Sequence, residues 1–308
     1  MTVQVSTLPA ARYWQAIAYG NGVFCAIADG SNSAATSTDG VNWTARVLPA
    51  SVNWSDIAWN GSVFCAVSSG TVAATSPDGV VWTQRTMPSS GWTSLAWNGT
   101  VFCAVQYGGD VATSPDGVTW TLRVHGISTG FQYIAWNGTV FCMAAFNSTI
   151  AATSPDGITW TQRTLPVSAA WKAIESNGTI FCLLSANTSV ALTSTDGVTW
   201  EQRSLPTVAQ WRSLAWGGGV FCAISEGSAA VATSPDGITW TAHSLPSSEY
   251  WYDIAWSGTV FCVISYNTLA YAATTSVVTS SDGAFDSTPA PDPPVVLFWR
   301  NLFGLSEL

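Results

Sequence analysis

The chain has 308 residues, of which 47% are hydrophobic and only 9% charged, with 18 tryptophans and a formal net charge of −9. That apolar content excludes extended disorder. With Lys172 as its single lysine, the chain is also excluded as a binder of phosphate backbones, which needs clustered basic residues to release counterions. No apolar run approaches the roughly 18 residues that span a bilayer. The start, Met1 to Ser6, has no basic segment followed by an apolar one, so the chain reads as made and folded in a cytoplasm without a membrane span.

In chain order, units begin near Trp14, Trp54, Trp92, Phe131, Trp171, Trp211 and Trp251. A period near 40 residues built from short strands predicts a β-propeller, here with seven four-stranded blades over residues 1–288. In the fourth unit the strands read as Phe131 to Trp136, Thr139 to Ala144, Ile150 to Thr153 and Ile158 to Arg163. Asn137-Gly138 reads as a two-residue hairpin turn in which both residues take positive φ. The second strand is nearly all apolar, as expected where both faces are covered by neighbouring blades.

Before the fourth strand stands the most regular stretch, Ser154-Pro155-Asp156-Gly157-Ile158-Thr159-Trp160. Its aspartates are Asp39, Asp78, Asp116, Asp156, Asp196 and Asp236, with Asp282 in a decayed last copy that lacks the tryptophan. Pro fixes φ, Asp accepts bonds from nearby amides and Gly takes the positive φ. The repetition assigns these aspartates a structural task rather than a catalytic one. Cys25, Cys65, Cys103, Cys142, Cys182, Cys222 and Cys262 recur in the same context, Val/Ile-Phe-Cys. Without a paired spacing they read as small buried apolar residues, not as disulfides or metal ligands.

The last unit lacks the outer strand seen in the others, and Val3 to Pro9 matches the missing piece, with Thr7-Leu8-Pro9 aligned to Thr164-Leu165-Pro166. The N-terminal strand is therefore expected to complete the last blade and remove an open sheet edge. Residues 289–308 form a second region: a Pro-rich linker and an apolar tail containing Leu297, Phe298, Trp299, Leu302, Phe303 and Leu305. It reads either as a segment folded back on the propeller or as a docking peptide for a partner protein, the arrangement of an anchor in a groove.

Two places offer binding chemistry. The loops between second and third strands vary in every unit, and Tyr107, Asn147, Glu226, Tyr266 and Tyr271 are their candidate ligand residues. Nearer the axis, Lys172 and Arg212 occupy equivalent first-strand positions with Gln15, Ser55, Thr93, Gln132 and Tyr252, and Asp56 and Asp253 stand one residue further on, a possible polar channel site. An outer column, Arg46, Arg85, Arg123, Arg163 and Arg203, continued by His243, is expected to be solvated or paired with carboxylates between blades. Neither His125 nor His243 sits in a recognisable motif. No cofactor, metal site or catalytic residue is expected.

The Ser-x-Asp-Gly-x-x-Trp units resemble the Asp-box, or bacterial neuraminidase repeat, propellers, a superfamily that includes sialidases, sortilin-like receptors and photosystem assembly factors. Here Gly follows Asp directly, one residue earlier than in the common box. The resemblance implies a structural box, and the sialidase catalytic set cannot be placed on this sequence. The texture Ile-Ala-Trp-Asn-Gly-Thr-Val-Phe-Cys also looks like repeats of bacteriophage tail and virion proteins. That resemblance implies a non-enzymatic virion component attached to another virion protein by its tail. The alternatives are a propeller that binds a host surface glycan and, less favoured, a sialidase-like hydrolase.

Overall fold

The computed structural model describes residues 3–267 and 269–274, with residues 269–274 described by their backbone alone. Every element among the described residues is a strand. The chain opens with β1 (Val3–Thr7). The first sheet holds β2 (Tyr13–Gly20), β3 (Val23–Asp29), β4 (Ser31–Ser37) and β5 (Thr44–Val52). The second holds β6 (Trp54–Trp59), β7 (Phe64–Ser68), β8 (Val72–Ser76) and β9 (Thr83–Thr86). The third holds β10 (Trp92–Trp97), β11 (Phe102–Gln106), β12 (Val111–Ser114) and β13 (Thr121–Arg123). The fourth holds β14 (Phe131–Trp136), β15 (Phe141–Ala145), β16 (Ser148–Ser154) and β17 (Thr161–Ala169). The remaining strands are β18 (Trp171–Ser176), β19 (Phe181–Ser194), β20 (Glu201–Gly217), β21 (Val220–Ser234), β22 (Thr241–Trp256), β23 (Val260–Ser265) and β24 (Leu269–Thr274).

The all-β propeller expectation holds, but the expected seven separate four-stranded blades are corrected. Among the described residues the strands join into five sheets, four of four strands and one of eight, in the order β1-β24-β23-β22-β21-β20-β19-β18. The cause is strand continuity. β5 and β6 are separate strands, whereas β20 stays extended, pairing with β19 from Glu201 to Gln210 and then with β21 from Trp211 onward. β22 does the same between β21 and β23. The first strand joins the last sheet: β1 pairs antiparallel with β24, from Val3 opposite Ala273 to Thr7 opposite Leu269. Residue 282 and the tail from 289 to 308 lie outside the described residues.

The core lies between successive sheets. Each Phe-Cys strand is fully enclosed, with Phe24, Cys25, Ala26 and Ile27 at 0% exposure. Cys25, Ile27 and Ala34 of the first sheet pack against Trp54, Ile57, Phe64 and Ala74 of the second, with Trp82 at the margin. The cysteines among the described residues are free and buried. Burial pushes their thiols up, to about 12 at Cys222, so they hold no reactive thiolate at neutral pH.

The repeated turn explains both the glycine and the cysteine. Ser154 Oγ donates to Asp156 Oδ1 at 3.0 Å and accepts from the Gly157 amide at 2.8 Å. Asp156 Oδ1 accepts from Ile158 N and Thr159 N, and Trp160 Nε1 closes onto the Gly157 carbonyl. The glycine points at the preceding sheet. At Gly79, with φ of 74°, a Cβ would lie 2.9 Å from Thr36 Cγ2 and 3.3 Å from Cys25 Sγ. Each turn is thus seated on the cysteine strand of its neighbour, and neither partner has room to grow.

Three local expectations change. At Asn137-Gly138 only the glycine takes positive φ; Asn137 Oδ1 instead accepts from the amides of Thr139 and Val140. Positive φ at both turn residues occurs at Asn21-Gly22. The fourth strand of that unit begins after the tryptophan, at Thr161, not at Ile158. The arginine column meets threonines rather than carboxylates between blades: Arg46, Arg85, Arg123, Arg163 and Arg203 donate Nε to the hydroxyls of Thr36, Thr75, Thr113, Thr153 and Thr193 at 2.9–3.1 Å. His243 meets Thr233 in the same way, and Arg203 also pairs with Glu201, two residues away.

Candidate ligand-binding channel

The inner strands β2, β6, β10, β14, β18 and the C-terminal halves of β20 and β22 follow one another around a centre, and β22 returns to β2. Each inner strand carries a bulge at the same place. The register against the next strand shifts between Trp14 and Ala16, Trp54 and Asp56, Trp92 and Ser94, Phe131 and Tyr133, Trp171 and Ala173, Trp211 and Ser213, and Trp251 and Asp253. A bulge re-aims the extra residue's side chain. The extra residues are Gln15, Ser55, Thr93, Gln132, Lys172, Arg212 and Tyr252, and all of them line one central cavity of about 640 Å³.

The inner-strand amides that face this cavity are capped on one wall by carboxylates. Asp56 Oδ2 accepts from Leu95 N at 2.7 Å, and its Oδ1 accepts from Ile57 N. Asp253 Oδ2 accepts from Ile17 N at 2.8 Å, tying the last inner strand to the first, while its Oδ1 takes the Ser213 hydroxyl. Enclosure by protein pushes the Asp56 carboxyl up to about 7, with the charge of Asp253 adding to it. Enclosure raises Asp253 as well, and it pushes Glu175, two residues or roughly 7 Å beyond the aspartate level by strand rise, up to about 7.

The strands β18 and β20 bring the channel's two cations. Arg212 Nη1 donates to Tyr133 Oη at 3.2 Å, and the guanidinium lies 3.8 Å over the Tyr252 ring. Its Nε is 3.9 Å from Glu226 Oε2. Lys172 Nζ stands 5.2 Å from the Phe146 ring centre. Burial, and then the like charge of Arg212, hold the Lys172 ammonium below the usual lysine range. A cation over an aromatic face is held in place without being neutralised.

The structure places the candidates read from the sequence unevenly. Lys172, Arg212, Asp56 and Asp253 converge on the cavity. Of the loop candidates, Tyr107 lines it, Glu226 reaches Arg212, and Tyr266 stacks on Tyr13 and Tyr252 at 4.7 and 4.9 Å. Asn147 is exposed with φ of 51° and stays outside the lining. Tyr271 sits in β24 opposite Val5, and its side chain lies outside the described residues, as do Leu297, Phe298, Trp299, Leu302, Phe303 and Leu305. Glu175 and Tyr133 are channel residues that sequence reasoning missed. Glu175 carried a signal: Ile174-Glu175-Ser176 stands where other repeats read Ile-Ala-Trp, as at Ile57-Ala58-Trp59. Among the described residues no three His, Cys, Asp or Glu gather as metal ligands.

A ring of inner strands around a polar channel defines a β-propeller with a central small-molecule-sized cavity. Within that class the chain belongs to the DUF6242 beta propeller domain family, whose profile matches residues 1–131, 125–257 and 155–293. No curated protein matches the chain in sequence. Among solved structures it is similar to virginiamycin B lyase from Staphylococcus aureus, at 11% identity and a TM-score of 0.78, covering 89% of this chain and 99% of that one. It is also similar to YCF48 bound to D1 peptide, at 14% identity and a TM-score of 0.73, covering 89% and 97%. YCF48 from Cyanidioschyzon merolae gives 15% identity and a TM-score of 0.67, covering 88% and 98%. At these identities the likeness establishes the fold.

Proposed function

We propose that this chain is a non-enzymatic binding propeller that takes a saccharide at the mouth of its central channel. The observation that supports this most directly is the convergence of the bulge residues on one cavity of about 640 Å³, within the size range of small-molecule sites. Gln15, Thr93 and Gln132 supply donors and acceptors for hydroxyl groups, and Tyr107 adds an aromatic wall.

A hydrolytic reading has less support. Glycoside hydrolysis uses a pair of free carboxyl groups flanking one bond, and Asp56 and Asp253 are instead engaged with strand amides. His125 accepts from the Ile127 amide and His243 is bonded to Thr233, and neither lines the cavity. A glycan array probed with the full chain tests the proposal. Retention of a saccharide class is expected, and absence of binding to any sugar at millimolar concentration overturns it.

Display on a phage virion, with residues 289–308 as the attachment to another virion protein, is the biological setting we propose for this module. It rests on the repeat texture and on the apolar tail of the sequence. Deleting residues 289–308 is expected to abolish incorporation into particles while leaving the propeller folded, and a truncated chain that still assembles refutes the attachment.

A further inference from the structure

The wall formed by Lys172 and Arg212 holds more positive charge than its neighbours neutralise. Arg212 has a side chain only 11% exposed, and its Nε, though buried, has no hydrogen-bond acceptor. The nearest carboxylate, Glu226, is 3.9 Å from that Nε, outside hydrogen-bond reach, and already accepts from Gln210 Nε2 at 3.0 Å. Among the described residues no carboxylate comes within ion-pair distance of Lys172. A buried, unmatched donor on a charged group is costly to maintain, and two adjacent cations add repulsion that an anion between them would relieve.

The channel is also polarised in a way that selects where an anion sits. Asp56 and Asp253 cap the amides of Ile57, Leu95 and Ile17, and Asp253, beside the strand of Arg212, also takes the Ser213 hydroxyl. At the positions equivalent to those aspartates, the strands of Gln132, Lys172 and Arg212 carry Tyr133, Ala173 and Ser213 instead. An anion beside those strands is met by two cations and the Tyr133 hydroxyl. The planar guanidinium presents neighbouring N–H groups suited to two oxygens of one carboxylate. Its stacking on Tyr252 and its bond to Tyr133 fix its plane.

We propose that Lys172 and Arg212 form a subsite for the carboxylate of an acidic saccharide, an inference that rests on the saccharide reading above. The carboxylate lies between Lys172 Nζ and the Nε edge of Arg212, with the sugar ring directed toward Gln132 and Tyr107.

Calorimetric titration of the full chain with glucuronate, glucose, acetate and inorganic phosphate tests this. Glucuronate is expected to bind at least tenfold more tightly than glucose. Lys172→Gln and Arg212→Gln are each expected to weaken glucuronate about tenfold and glucose by far less, and Arg212→Lys is expected to fall between. Thermal melting of each variant separates lost binding from lost folding, and Lys172→Gln, which leaves the hydrogen bonds of Arg212 in place, serves as the variant that stays folded. If acetate matches glucuronate and both depend on Arg212, the carboxylate subsite stands and the saccharide reading fails. If glucose matches glucuronate and neither responds to the variants, the saccharide reading stands and the carboxylate subsite is overturned. Phosphate binding more tightly than glucuronate overturns the assignment to a carboxylate, and silence from all four probes overturns both.

Discussion

The outer turns and the inner ring are built from the same repeat, yet they behave as opposites. In the outer turns the carboxylates are charged and tied to amides: the amide of Val80, then that of Val81, holds Asp78 below the ordinary carboxylate range. Asp39, Asp116, Asp156, Asp196 and Asp236 are lowered too, although partial burial opposes this most at Asp39, Asp156 and Asp236. In the inner ring the carboxyl groups of Asp56, Glu175 and Asp253 are pushed up by enclosure. The outer side chains repeat because each turn must seat on its neighbour. The inner ones vary because a bulged side chain points into the channel rather than into a seat on the next sheet. One repeat thereby separates holding the ring together from equipping its centre.

The largest expected contrast is steric. Gly79→Ala forces a Cβ to within 2.9 Å of Thr36 Cγ2 in a left-handed conformation, and should cost about 2–3 kcal/mol, read from the denaturant midpoint. Second is pH. Asp56 keeps its proton in the folded chain up to about 7, while the unfolded chain releases it near the ordinary value of 3.8. Folded stability should therefore fall as pH rises through that window. Asp56→Asn should remove on the order of 1–2 kcal/mol of that fall after allowance for solvent screening. Asp156→Asn should act with the opposite sign: Asp156 contributes stability above the ordinary carboxylate range and loses it as pH drops below. Parallel pH profiles for the two variants would break the contrast. The smallest effect belongs to Ser55→Ala, a bulge residue, expected within about 0.5 kcal/mol of the parent by thermal melting.

The turns were legible because their chemistry is local. Ser154, Asp156, Gly157 and Trp160 bond to one another within three residues, and a sequence displays such spacings directly. The ring was half legible. Aligning repeats put Lys172 and Arg212 in equivalent places, but the bulge that turns them into the channel depends on pairing with the next strand. The arginine–threonine contact was visible in hindsight as a constant spacing of ten residues, from Thr36 and Arg46 to Thr193 and Arg203. The fusion of the later strands into an eight-stranded sheet had no such signal. Whether Ala209-Gln210-Trp211 stays extended or breaks is decided by its surroundings, and the repeats before it, with nearly the same residues, break.

The pairing of β1 with β24 has a consequence for biosynthesis. Val3 leaves the ribosome 270 positions ahead of Ala273, its partner in the sheet. At roughly 5–20 residues per second, that strand waits on the order of tens of seconds before its ladder exists. During that interval it is an unclaimed edge, available to another nascent chain on the same message. Asp253, which bonds the Ile17 amide, emerges in the same late window, so the seam of the ring is sealed only after β24 has emerged, by a backbone ladder and a carboxylate together.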